Sequence, residues 1–95
     1  MNIGTAIKML RKQKGLSQKE LGDKCGISVN ALSQIETNST FPQKNTIKNI
    51  CEVIGIPVSY LLFFAISDED VPESKRAIFN SLNQTIKSVL LDDLK

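Results

Sequence analysis

The sequence predicts an all-α fold: five short helices followed by an additional C-terminal amphipathic helix. Three observations carry this. Ser17 and Glu20 stand at the spacing of a capping box, and Gly26 follows where a short helix would stop. A second capped start comes at once with Ser28. Apolar residues then recur three and four apart through residues 47–54 and again in the tail, where residues 74–94 contain no Gly or Pro.

Helix one is expected over about Ile3 to Lys14. Ile3, Ile7 and Leu10 form its inward stripe with Ala6 beside them, and Gly15 ends it. Lys8, Arg11, Lys12 and Lys14 remain off that stripe. Helix two starts near Gln18, with Leu16 and Leu21 placed to form a hydrophobic staple and Leu21 and Cys25 facing inward. Gly26 closes it because glycine takes a left-handed conformation without steric cost. Helix three follows Ser28, with Ile27 positioned against Leu32, and runs to about Thr37. Two short helices across a tight glycine turn are a helix-turn-helix arrangement.

The third helix has two faces. Leu32 and Ile35 need a core. Asn30, Ser33, Gln34 and Thr37 make a polar, uncharged stripe on the other side. A solvated face is one reading, although such faces usually carry Lys and Glu. Reading base edges in a major groove is the other, since Asn and Gln can bond adenine through two atoms.

Residues 38–42 form a loop, in which Phe41 is read as a core anchor. Helix four is expected over Gln43 to Ile54, burying Ile47, Ile50, Cys51 and Ile54. Lys44 and Asn45 stand at its N-terminus, where backbone amides and a lysine can hold a phosphate. After Gly55, Pro57 suits the first turn of helix five, which extends to about Phe64 with Leu61 and Leu62 completing the core. Tyr60, Phe63, Phe64 and Ile66 exceed what one small core needs, so part of that cluster reads as an interface. The organisation is then a domain over residues 1–66, an acidic linker over 67–73, and a C-terminal helix over 74–95. In that helix Phe79, Leu82, Ile86 and Val89 follow a 3-4-3 spacing, with Ile78, Leu90 and Leu94 alongside. Folding back on the domain, pairing with a second copy and binding another protein all fit this pattern.

The net charge is +2 over 95 residues, but it is unevenly spread. Residues 1–48 hold eight Lys/Arg against three Asp/Glu, and residues 49–95 hold four against seven, so the halves carry +5 and −3. A basic N-terminal half suits a polyanion. Cys25 and Cys51 fall on apolar helix faces and read as buried thiols in a reducing cytoplasm. The longest apolar run, Tyr60 to Ile66, is far too short to span a membrane. With no histidine, no nucleotide-binding glycine loop and no cluster spaced to hold a metal, the sequence points away from catalysis and from any cofactor.

Residues 4–62 resemble the phage repressor/Cro family of helix-turn-helix regulators, the set called xenobiotic-response-element type. The likeness lies in IKMLRKQKGLSQKELGDKCGIS, in Ala31-Leu32-Ser33-Gln34-Ile35-Glu36, in Phe41-Pro42 with Thr46-Ile47, and in GIPVSYLL. It implies a lambda-repressor-like domain that binds double-stranded DNA. It also implies that Arg11 pairs with Glu36 as a structural ion pair, and that Gln18 bonds a phosphate. Gly22 stands where the family usually has alanine, and Asn38 where it commonly has glycine. On this reading Val29, Asn30, Ser33 and Gln34 read bases, while Gln18, Thr40, Lys44 and Asn45 hold phosphates. The expected function is a transcriptional regulator, a repressor acting as a homodimer on a palindromic operator. Phe63, Phe64, Phe79, Leu82, Ile86 and Val89 would form the dimer interface. The alternative is an antitoxin-like interaction module, in which the C-terminal helix binds a partner protein and DNA binding is secondary.

Overall fold

The computed structural model describes residues 1–92 and 94; Asp93 and Lys95, the remaining residues of the expected C-terminal segment, lie outside them. Among the described residues there are six α-helices and no strand: α1 (Ile3–Gln13), α2 (Gln18–Cys25), α3 (Val29–Glu36), α4 (Lys44–Ile54), α5 (Val58–Ala65) and α6 (Arg76–Asp92). Helix α1 packs on α5 and α3, α2 on α4 and α3, and α4 on α5. Ile7, Leu10, Leu21, Leu32, Ile50, Ile54 and Leu61 are fully buried where these faces meet. Each such side chain contributes roughly 1.5–3 kcal/mol by leaving water. No single described helix is long and apolar enough to cross a membrane, and α4 and α5 meet at a bend of 103°.

The local signals act as their chemistry dictates. Ser17 Oγ accepts from the Glu20 amide at 3.0 Å, and Glu20 Oε1 accepts from the Ser17 amide at 3.0 Å. These bonds hold the Glu20 carboxyl below its ordinary pKa. Gly26 ends α2 at φ 72°, in the left-handed region. Helix α2 then leaves no room for a larger residue at Gly22, where a Cβ would stand 2.8 Å from the Ile27 carbonyl oxygen. Gly4 permits a still closer approach, since a Cβ there would collide with the Ile35 carbonyl of α3. Asn38 takes φ 62° after α3, a left-handed turn that asparagine tolerates where the family commonly has glycine. Its side chain does more: Oδ1 accepts from the Gly4 amide at 3.0 Å, and Nδ2 donates to Thr5 Oγ1 at 3.0 Å. The start of α1 is thereby tied to the end of α3.

Three expectations need correction. Phe41 is 72% exposed, and its neighbour Pro42 is the buried residue of that loop. The core already holds α4 and α5 together without the ring. Leu62 is likewise 38% exposed, because only one of two successive residues on α5 can face α1, and Leu61 does. Phe64 is not interface surface. It is buried at 6% exposure and packs edge-on against half-buried Phe63, with ring centres 6.2 Å apart.

The acidic segment after α5 forms two short 3-10 turns, Asp68–Asp70 and Glu73–Lys75, so α6 begins at Arg76. Arg76 Nε donates to the carbonyls of Asp68 (2.9 Å) and Val71 (3.1 Å), which turns the chain back. Helix α6 lies against the body through mixed chemistry. Leu94 is buried, with Leu90 and Leu91 beside the core. Asn83 is buried as well, and its Nδ2 has no hydrogen-bond partner among the described residues. Lys87 places its ammonium 5.9 Å from the centre of the Phe64 ring, and burial lowers its pKa. The apolar stripe of α6 faces solvent rather than folding back on the domain. Ile78, Leu82, Ile86 and Val89 are 62, 59, 45 and 62% exposed.

Candidate nucleic-acid interface

The last turn of helix α3 is held by a buried ion pair, beyond the packing of Leu32 and Ile35. Arg11 of α1 donates from Nε to Glu36 Oε2 at 2.7 Å and from its second guanidinium nitrogen to Oε1 at 3.0 Å. The third nitrogen donates to the Leu16 carbonyl at 2.8 Å. Gln18 Nε2 donates to Glu36 Oε1 at 3.0 Å. The carboxylate therefore receives three hydrogen bonds, and the guanidinium spends its fork on α3 and on the α1–α2 connection. Both residues are buried, so this satisfaction is what makes their charges tolerable in the interior. The last turn of α3 is locked to α1 and α2 at once.

With Leu32 and Ile35 buried and Glu36 paired inward, the outer face of α3 is fixed. Ser28 Oγ caps it by accepting from the Ala31 amide at 3.0 Å. Val29 is 43% exposed, Asn30 and Gln34 are exposed, and Ser33 is half-buried. These four residues share the first two turns of one rigid helix and carry no charge. Gln34 is also held from the loop beyond the helix, where Thr40 Oγ1 donates to its Oε1 at 3.3 Å. The amides of Ser39 and Thr40 both donate to the Gln34 carbonyl. Thr37, at the end of the polar stripe, turns its hydroxyl onto the same carbonyl at 3.2 Å. The Thr40 bond restrains the amide side chain itself and so lowers the entropy lost when it engages a ligand.

The residues expected to hold phosphate are placed differently from one another. Lys44 and Asn45 are exposed in the first turn of α4, after Gln43 as N-cap, where the helix leaves amide hydrogens free. Thr40 is exposed in the preceding loop, with its hydroxyl hydrogen given to Gln34. Gln18 is half-buried at the first turn of α2 and gives one of its two amide hydrogens to Glu36, which leaves one for a phosphate. The structure brings Val29, Asn30, Ser33 and Gln34 onto one surface and attaches Thr40 to it. The ties made by Asn38 were not legible in advance. An asparagine at a positive-φ position signals the turn, but its partners 33 and 34 residues away carry no local mark.

A helix-turn-helix family model matches residues 7–61. The chain is 30% identical to the immunity repressor protein of Bacillus phage phi105 over 81 residues, covering 85% of this chain and 54% of the relative. It is 39% identical to the HTH-type transcriptional regulator SinR of Bacillus subtilis over 61 residues, covering 63% of this chain and 55% of that one. The chain thus spans about half the length of these curated relatives. The solved structure of the clp gene regulator ClgR from Corynebacterium glutamicum superposes with a TM-score of 0.67, covering 99% of this chain and 93% of that one. At 18% identity this likeness concerns the fold alone.

Proposed function

From the premise that this chain belongs to the Cro/C1-type helix-turn-helix family of transcriptional regulators, we propose that it is a sequence-specific repressor acting as a homodimer on a roughly palindromic operator. The observation that carries the reading is the uncharged outer face of α3, held rigid by the buried Arg11–Glu36 pair. Asn30, Ser33 and Gln34 hydrogen-bond base edges there, and Val29 touches a thymine methyl. Gln18, Lys44 and Asn45 fix the register on the phosphate backbone, and Thr40 joins them when its hydroxyl turns from Gln34 to a phosphate. The basic N-terminal half favours the polyanion.

The dimer reading rests on α6. Leu82, Ile86 and Val89, with Ile78, form a continuous exposed apolar stripe, and half-buried Phe63 and Phe79 border it. A monomer rarely leaves such surface in water. A second copy related by a two-fold axis covers it and sets two recognition helices about 34 Å apart, one turn of DNA. Selection of binding sites from random duplexes tests both parts. Two half-sites in inverted order, with centres about 10 base pairs apart, are expected. Recovery of no preferred sequence would end the readout claim.

The same stripe also favours a second reading, an antitoxin-like module in which α6 holds a partner protein. The readings differ in what the isolated chain does. A regulator binds its operator alone, whereas a chain that binds DNA only with a partner present fits the module.

A further inference from the structure

Beside the first turn of α4 the molecule carries apolar surface that neither its core nor the α6 stripe uses. Phe41 is 72% exposed, and Val58 and Leu62 of α5 are 39 and 38% exposed. With Pro42 and Ile47 they line an open groove of roughly 630 Å³. Its polar rim consists of Lys44, Asn45 and Lys48, and no acidic residue lines it. An apolar floor with two lysines one helical turn apart along its α4 side is complementary to an acidic amphipathic segment. A second copy fits less well. Isologous pairing through this face would gather two lysines from each chain along one seam, with no carboxylate from the groove between them.

We propose that the groove between α4 and α5 docks an acidic amphipathic helix of a protein partner. An apolar side chain of the partner sits among Phe41, Val58 and Leu62, and its carboxylates pair with Lys44 and Lys48. Lys44 and Asn45 are also assigned to DNA phosphate, so docking and DNA binding exclude one another. That exclusion rests on the proposed function; the docking itself does not. The partner is thus an antagonist that removes the chain from DNA by occupying its phosphate-holding corner.

The test uses the full chain and a fluorescent synthetic helical peptide with leucines three and four apart and glutamates flanking them. The control peptide has lysine in place of every glutamate. Anisotropy should show the acidic peptide binding at least about ten-fold more tightly than the control. Phe41→Ser should weaken it by about ten-fold or more with helicity unchanged, since the ring is an exposed anchor. Operator duplex should displace the bound peptide. Equal binding of the two peptides, or unchanged binding to Phe41→Ser, would overturn the docking site. So would a change from dimer to monomer in Phe41→Ser alone, which would assign the groove to a second copy. Simultaneous binding of peptide and duplex would overturn the exclusion. If the chain binds the acidic peptide selectively but no DNA at all, the proposed function fails while the groove stands.

Discussion

Helices α3 and α6 are both amphipathic, and the fold settles them in opposite ways. Helix α3 buries Leu32 and Ile35 and presents amides and hydroxyls to solvent. Helix α6 turns Asn83 and Lys87 toward the body and leaves Ile78, Leu82, Ile86 and Val89 in water. Amphipathic spacing identifies two faces but does not say which one a neighbour will take. For α3 the neighbours were α1 and α2, with an open hydrophobic interior and a guanidinium waiting for Glu36. For α6 the interior was already largely filled by five helices; its middle faces Asn2, Thr5 and Met9 of the N-terminal segment and the Phe64 ring, and only Leu90 and Leu91 near its end reach the core. An apolar stripe left over in this way is an address for another surface rather than a part of the chain's own core.

Four outcomes would sharpen or break this contrast, and the largest concerns the anchor of α3. Glu36→Ala leaves Arg11 buried without its carboxylate and should cost about 3–5 kcal/mol. At about 4–8 °C of melting temperature per kcal/mol for a domain of this size, that is a drop beyond 12 °C. Thermal unfolding followed by circular dichroism reads it directly. A Glu36→Ala chain that melts like Asn30→Ala would remove the pair from its structural role.

Equivalent leucines on the two helices should then separate cleanly. Leu32→Ala opens a cavity under α3 and should cost about 2–5 kcal/mol. Leu82→Ala removes only exposed surface, and in the dissociated chain it should shift stability by no more than about 0.5 kcal/mol. Its effect should appear in sedimentation, as a weaker dimer. Equal destabilisation at the two positions, measured at low concentration, would mean that α6 buries this face within its own chain.

Readout on α3 gives the next effect. Gln34→Ala should cost about 1–3 kcal/mol at the selected operator and relax one base position, with little loss on random duplex. Lys44→Ala should weaken binding to all sequences and lower the salt slope by about 1. Salt titrations on both duplexes distinguish reading from positioning; equal losses for Gln34→Ala on both would contradict its assignment.

The smallest effect lies at the polar seam of α6. Asn83 buries an amide donor with no partner among the described residues. Replacing it with leucine removes that donor's desolvation penalty and should raise stability by about 1 kcal/mol. A lower melting temperature for Asn83→Leu would show that the amide finds its acceptor in the working assembly.

Much of this was legible because its causes are local. The capping box at Ser17 and Glu20, the left-handed Gly26 and Asn38, and the inward faces of α1 to α4 each follow from a few adjacent residues. So does the uncharged outer stripe of α3, whose exposure is the complement of burying Leu32 and Ile35. The pairing of Arg11 with Glu36 was implied by family resemblance; helical periodicity leaves Arg11 off the inward stripe. The fit of Gly22 had a local sign in its small size, whereas the need for Gly4 against Ile35 did not.

What tertiary structure alone decided is which candidate surfaces were used up. Phe41, Phe64 and Leu62 are all large and apolar, and nothing near them in sequence says that Phe64 is buried while Phe41 and Leu62 are exposed. Burial depends on the finite volume between α1, α4 and α5, and Leu61 and Phe64 fill it. The inversion of α6 has the same origin. The sequence by itself determined six helices, a capped two-helix turn and an uncharged reading face, because hydrogen-bonded turns and helical periodicity are set within a few residues. The direction each remaining apolar face points was decided by packing, because a small core has room for only some of them.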